Sequence, residues 1–482
     1  MTLIPMCKTL KLRLMFLKVN IENKVHGGES GIRTHVRVSP KHAFQACAFN
    51  HSAISPVWKH GAWLAVFRAT FDAFHRITCE ASPGFDAVSD AWRRIRNVTR
   101  PLISRRGLLL SSVAGFTACA PPKATRFFGY CLVANEESRS VGVVDLTNFR
   151  VRRQIPLDAA PGLVLAHPTK PRAYVLAPVA GTVYEIDASF LTISRRARAG
   201  NEAAGMRLSR NGDALWVLYR DPASLVELPL NSLKPGRRIR LAAPPDDFDV
   251  SPETDDAVIV TRNGRTVAIV SLASASIART IQAATEPSIA RFRFDGRQVI
   301  AGSQADRSLT IYEVASGRTV VRLPLPLAPR HFCFTPLGGQ LYVTGDGMDA
   351  VVTVYPYRTE VVETILAGRA PGAMVVTSET SPSYLLIANP ETAGVTVLDT
   401  ETGKLVAVVQ VGQQPCNIIL TPDKQYALVL NEKSGDLAVI RIFSLSGRQT
   451  GGDRIRRYKS APLFTLIPVG EKPVSAAVVA LT

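Results

Sequence analysis

Histidine is scarce in this chain of 482 residues, and six of its eight histidines stand before residue 100. Only His167 and His331 follow. HExxH, a GxSxG elbow and a Gly-rich phosphate loop are all missing, so zincin, α/β-hydrolase and P-loop chemistry are excluded. Cysteine is equally sparse: beyond Cys119 only Cys131, Cys333 and Cys416 remain, with no CxxC or CxxCH. That excludes a zinc ribbon and a c-type haem attachment, and the three thiols are expected to pack as small apolar groups without disulfides. No basic stripe with interleaved aromatics occurs, so nucleic acid is not an expected partner. Helical patterns of 10–15 residues are missing from the C-terminal three quarters of the chain, which excludes an α/β sandwich there.

What is present begins with SRRGLLLSSVAGFTACAPP, Ser104 to Pro122. Paired Arg105 and Arg106, an apolar run from Gly107 to Ala118 and a small-residue site before Cys119 are the parts of an export signal. The run falls short of the roughly 20 apolar residues that span a bilayer. Phe116-Thr117-Ala118-Cys119 resembles a bacterial lipobox, with Phe116 in place of the usual Leu. Ser104-Arg105-Arg106-Gly107-Leu108-Leu109 is similar to a twin-arginine motif, with Leu108 in place of Phe. The resemblance implies that Cys119 is lipidated and becomes the mature N-terminus, on a membrane surface and without a spanning helix.

A signal belongs at a chain's start, so residues 1–97 need another explanation. Glu29 to Pro56 has neither helical nor strand periodicity. It resembles text produced when a transfer-RNA gene is conceptually translated. Residues 1–97 are therefore read as a start-site artefact or a disordered extension, 98–118 as the signal and 119–126 as a linker. Val98, if encoded by GTG, begins a well-formed n-region. Charge agrees with this division. The formal net charge is +18, but residues 1–118 hold 17 of the 57 Lys and Arg and 6 of the 39 Asp and Glu. The remainder carries only a mild basic surplus, suited to solubility or loose contact with anionic surfaces.

Residues 127–482 repeat. Steps of about 42 residues from Pro161 reach Ala203, Pro245, Pro287, Pro329 and Pro371, followed by Pro415 and, after an insertion, Pro473. Each unit reads as four short β-rich runs punctuated by Pro, Gly, Asp and Asn. Blade 7, for example, opens with Cys416 to Leu420 and turns at Thr421-Pro422-Asp423. Four strands per unit of this length is the pattern of a β-propeller blade. Seven units begin near residues 159, 201, 243, 285, 327, 369 and 413. Glu471 to Thr482 supplies one further strand, and Phe127 to Asp158 supplies three. The prediction is an all-β propeller of eight four-stranded blades, with seven as the alternative, closed by the two ends of the domain sharing one blade. Ser446 to Pro462 is a basic polar insertion.

The runs Tyr342 to Asp346, Leu386 to Pro390 and Cys131 to Glu136, with the strand-turn-strand TVLDTETGKLVAVVQVG, resemble the YVTN β-propeller repeat. The resemblance covers roughly residues 127–482 and implies the fold together with a bacterial exported or surface setting. Related propellers include lactone hydrolases and haem d1 domains, and fold alone does not choose among them.

Because first strands line a propeller's channel, the register predicts which side chains gather at its mouth. One residue past the repeat position stand Asp246 and Arg330; two past stand Asp247, His331 and Asn417; one before stand Glu202 and Glu286. These are the candidate ligand-binding residues. Asp246 and Asp247 are the candidate pair for a hard cation, although whether a metal binds is left open, and no cofactor is assigned. The reading is an exported, lipid-anchored, monomeric binding or scaffold module of the cell envelope, with an envelope protein or glycan as partner. A lactonase-type hydrolase using Asp246, Asp247, Asn417 and Arg330 is the alternative. A haem d1-type redox propeller with His331 as axial ligand is the third.

Overall fold

The computed structural model describes residues 127–378, 381–445 and 461–481. The export signal, Cys119 and most of the Ser446–Pro462 insertion lie outside the described residues. Within them the chain forms eight four-stranded antiparallel sheets in a ring, a β-propeller. Blades 1 to 7 follow in chain order. Their innermost strands are Leu163–Ala166, Asn201–Leu208, Asp247–Val250, Ile289–Phe292, Ala328–Phe334, Met374–Val376 and Pro415–Leu420. Blade 8 is composite: Pro473–Ala480 is its innermost strand and pairs antiparallel with Gly129–Asn135, from the start of the domain. The eight-blade count and the shared closing blade are as the repeat predicts.

Each blade grades from dry to wet. In blade 3 the second and third strands, Asp256–Thr261 and Thr266–Ser271, are almost wholly buried, while the fourth, Ser276–Gln282, is exposed except at Ile281. The cause is packing on both faces: neighbouring blades cover the middle strands from either side. These strands therefore read AVIVT and TVAIVS, nearly continuous apolar runs with no alternation. In every blade but the second, the pairing of third and fourth strands shifts register at the same place, as at Ile269/Val270 and Ile311/Tyr312. A bulge there adds the twist that splays a blade outward from the axis.

The repeat also fixes the first turn of each blade. Six residues past the repeat position stand His167, Ser209, Ser251, Arg293, Thr335, Thr377 and Thr421. His167 Nδ1 accepts the Thr169 and Lys170 N–H groups at 3.1 Å each. Ser209 Oγ accepts from Asp213 N, and Thr421 Oγ1 from Tyr426 N, at the same point of their blades. At every one of these positions but Arg293, a short acceptor side chain satisfies backbone donors that the turn would otherwise orphan.

Arginines clasp the outer rim. Arg195, Arg237 and Arg279 occupy one register position in blades 1, 2 and 3. Arg195 donates to the Leu230 and Asn231 carbonyls of blade 2, each at 2.7 Å. Arg237 donates to Leu272 and Ala273 of blade 3, and Arg279 to Ala315 of blade 4. Glu185 and Glu227 each grip the guanidinium of their own blade from behind. The outermost strand of one blade is thus tied to the hairpin of the next.

Candidate functional site

An innermost strand pairs on one side only, so its other edge leaves backbone N–H and C=O groups facing the channel. Strand alternation then sorts its side chains. The third residue past the repeat position (Val164, Met206, Phe248, Ala290, Ile418 and Ala476) is buried between blades. The second and fourth are mostly half-exposed and line the channel. The fourth-residue layer reads Leu165, Arg207, Asp249, Arg291, Cys333, Val375, Ile419 and Ala477.

Charge is confined to one sector of that wall. Arg291 Nη1 meets Asp247 Oδ2 at 2.5 Å. Arg207 lies 3.7 Å from Asp249 and 4.0 Å from Asp247. Asp247 Oδ2 also accepts the Ala290 N–H at 3.2 Å, and Asp249 Oδ2 accepts the Phe292 N–H at 3.0 Å. The two carboxylates of blade 3 therefore cap two open backbone donors on the channel edge of blade 4, and two arginines neutralise them. Burial pushes the Asp249 carboxyl above the ordinary carboxylate range, against the pull of Arg291 and Arg207. It also lowers the Arg207 pKa, helped by the neighbouring Arg291 charge. Burial works against the Arg291 charge too, but Asp247 and Asp249 outweigh it and hold its pKa up.

The same stitching recurs at the second-residue layer. Ser475 Oγ accepts the Val164 N–H at 3.2 Å, joining blade 8 to blade 1. Asn417 Nδ2 donates to the Val474 carbonyl at 3.5 Å, joining blade 7 to blade 8. His331, at the equivalent place in blade 5, is different. Its side chain is exposed to the channel and makes no hydrogen bond or ion pair among the described residues. The protein around it and the Arg330 charge lower its pKa, so at neutral pH it presents a neutral imidazole.

The other sequence-predicted residues scatter around the mouth. Asp246 turns away from Asp247 and accepts the Arg262 N–H of its own blade at 2.6 Å. The two adjacent carboxylates therefore diverge. Arg330 pairs with Asp346 at 2.5 Å, Glu202 with Arg220 at 3.3 Å and Glu286 with Arg265 at 2.9 Å. Among the described residues no three of His, Cys, Asp or Glu gather as a metal site. Arg207, Asp249 and Arg291 were not among the predicted residues. Their signal was available, since they fall 42 apart and two positions beyond the layer used for the prediction.

No protein-family model matches the chain, and no curated protein does either. Solved structures do. The structure described as dihydro-heme d1 dehydrogenase NirN in complex with DHE matches with a TM-score of 0.61 and 14% identity, over 78% of this chain and 86% of that one. Hydrazine synthase from Kuenenia stuttgartiensis matches with a TM-score of 0.48 and 18% identity, over 58% of this chain and 95% of that one. A protein of unknown function from Desulfotomaculum acetoxidans matches with a TM-score of 0.48 and 13% identity, over 60% and 99%. The chain is thus an eight-bladed β-propeller similar in fold to a haem d1 propeller, and at these identities the likeness reaches no further than the fold. Membership of the YVTN-repeat family is not shown by any family model.

Proposed function

We propose that the chain is a binding or scaffold propeller of the bacterial cell envelope. In this reading it is exported, held at a membrane by a lipid on Cys119, and meets an envelope protein or glycan. The observation that carries the non-catalytic part is the state of the channel charges. Asp247 and Asp249 each commit Oδ2 to blade 4, through Arg291 and the Ala290 and Phe292 N–H groups, and Arg207 faces Oδ1 of both at 3.7–4.0 Å. A general base or metal-binding carboxylate needs a free oxygen aimed at a substrate and no cation against it, whereas these two use Oδ2 to hold blades 3 and 4 together and have a guanidinium opposite Oδ1. The divergence of Asp246 from Asp247 weighs against the lactonase-type alternative in the same way. Mass spectrometry of the mature N-terminus from the membrane fraction tests the envelope half. An acylated peptide beginning at Cys119 supports it, and a soluble chain retaining Met1 overturns it. A scan for stoichiometric metal with lactone-turnover assays tests the non-catalytic half, which metal-dependent hydrolysis sinks.

One observation favours a second reading, a redox-type propeller that holds a tetrapyrrole. His331 offers an open, neutral imidazole at a channel mouth, the form that ligates a haem iron. The fit is partial. The cations that would meet the tetrapyrrole's carboxylates are already paired, Arg330 with Asp346 and Arg207 and Arg291 with Asp249 and Asp247. Titration with haem, followed by visible absorbance in the native chain and in His331→Ala, separates this reading from the first. A Soret shift that His331→Ala abolishes supports it.

A further inference from the structure

Phe128, Phe190, Phe294, Tyr357, Phe443 and Phe464 are the exposed aromatic side chains among the described residues, each 40–74% accessible. Their places in the blade pattern coincide. Phe294 sits in the turn between first and second strands of blade 4. Phe190, Tyr357 and Phe443 sit between third and fourth strands of blades 1, 5 and 7. Phe464 is the second residue of a fourth strand, and Phe128 immediately precedes Gly129, where the second strand of blade 8 begins. Since strands within a blade are antiparallel, all of these connections belong to one face of the ring. The opposite face, where first strands begin and where Asp247 and His331 stand, bears none of the six.

An aromatic ring left in water forgoes about 2–3 kcal/mol of burial. Single exposed rings are ordinary, but here, among the described residues, six stand on one face and none on the other. Two of them carry a guanidinium: Arg441 lies 3.9 Å over Phe464, and Arg293 lies 4.6 Å over Tyr357. Phe464 is also braced from within, its ring 5.2 Å from Phe149, which packs 5.0 Å from Tyr426. The rings are spread over blades 1, 4, 5, 7 and 8. A protein partner's hot spot is a central cluster, whereas a flat polar–apolar boundary takes dispersed rings with arginine beside them.

The chain's own course says which boundary. The described structure starts at Phe127 on this same face, and Cys119 stands eight residues earlier. Eight extended residues reach at most about 28 Å, so an acyl chain on Cys119 would keep this face within that distance of its bilayer. We propose that the aromatic face is a membrane-docking surface, resting its rings in the phospholipid headgroup region and turning the mouth with Asp247 and His331 away from the bilayer. The proposal takes its lipid surface from the anchored reading above.

The test uses the full chain carrying Cys119→Ala, which cannot be acylated. The anchor is thus judged by N-terminal mass analysis and the docking face by vesicles, each able to fail alone. Vesicles of phosphatidylcholine, with and without phosphatidylglycerol, are mixed with the protein and floated. Co-flotation is expected, weakened at least about tenfold in a Phe190→Ser/Tyr357→Ser/Phe443→Ser variant. Hydrogen exchange on the unsubstituted chain needs no variant to fold. Peptides around Phe190, Phe294 and Tyr357 should gain protection with vesicles, while those around Val179 and Met348, in turns of the other face, should not. Binding equal in the triple variant assigns the contact to residues 1–118 and overturns the proposal. So does protection equal on both faces, or a lipid-independent dimer protecting the same peptides.

Discussion

Arg291 of blade 4 grips Asp247 of blade 3 at 2.5 Å, and Asp247 in turn accepts the N–H of Ala290, the residue next to Arg291. One carboxylate thus holds both a side chain and the backbone of its neighbour. Removing Arg291 leaves Asp247 and Asp249 facing each other with only Arg207 to balance them. Both arginine and aspartate are about a quarter exposed, which lowers the cost below that of a dry ion pair. Arg291→Met is expected to destabilise the fold by about 1–3 kcal/mol in urea unfolding. In a double-mutant cycle with Asp247→Asn the two should couple by more than about 0.5 kcal/mol. Additive costs would mean that Arg291 and Asp247 do not act together as a clasp.

Arg237 makes four hydrogen bonds, two to Glu227 and two to carbonyls of blade 3. Arg237→Ala should cost about 2 kcal/mol, chiefly through the charge-assisted bonds. The same clasp sets an acid dependence. The Arg237 hydrogen bonds draw the Glu227 carboxyl below its ordinary range against burial. Burial pushes Glu185 up, but Arg195 and Ser194 outweigh it and its pKa is also lowered. A lowered carboxyl pKa gives stability that is present above the ordinary value, 4.5, and is lost as pH falls through the folded-state value. Urea midpoints should therefore fall as pH drops below about 4.5, and fall less steeply in Arg195→Ala/Arg237→Ala.

The two histidines titrate in the opposite sense from a salt-bridged histidine. Desolvation lowers the pKa of both rings, by burial at His167 and by the surrounding channel wall at the solvent-open His331, assisted by Lys170 and Arg172 at the first and Arg330 at the second. Folding then favours the neutral ring. Their contribution is complete above the ordinary value of 6.5 and is lost as pH falls from there through the folded-state values. Protonating His167 also converts Nδ1 from an acceptor to a donor and breaks its turn. Thermal midpoints should rise from pH 5 to pH 7, and His167→Gln/His331→Gln should flatten that rise.

Cys131, Cys333 and Cys416 are free, and burial pushes each thiol up to about 12. Almost no thiolate exists at pH 8, so all three should resist iodoacetamide in the native chain and react in denaturant. Peptide mass mapping of the alkylated cysteines reads this directly. Rapid native labelling at Cys333 would mean that the channel wall opens, and at Cys416 that the seam between blades 7 and 8 does.

The channel site was only partly legible in the sequence. Asp247, His331 and Asn417 were named because the repeat assigns them one height, and the structure puts each on its innermost strand. What the register does not contain is direction. Asp246 and Asp247 are adjacent, so alternation sends them to different sides, one to Arg262 within its blade and the other to Arg291 in the next. Arg207, Asp249 and Arg291 lie in the same periodic text two residues further on, deeper in the channel than the residues that flank the repeat proline.

The sequence alone determined a propeller closed by its own two ends, with eight blades favoured over seven, because periodic apolar runs with turn punctuation are local properties that add along a chain. Only the tertiary structure decided what the polar residues do. Whether Asp247 waits for a ligand or caps the Ala290 N–H depends on how far one innermost strand stands from the next, a distance that closing the ring sets. The gathering of exposed aromatics on one face likewise appears only once each turn is assigned to its side of the ring.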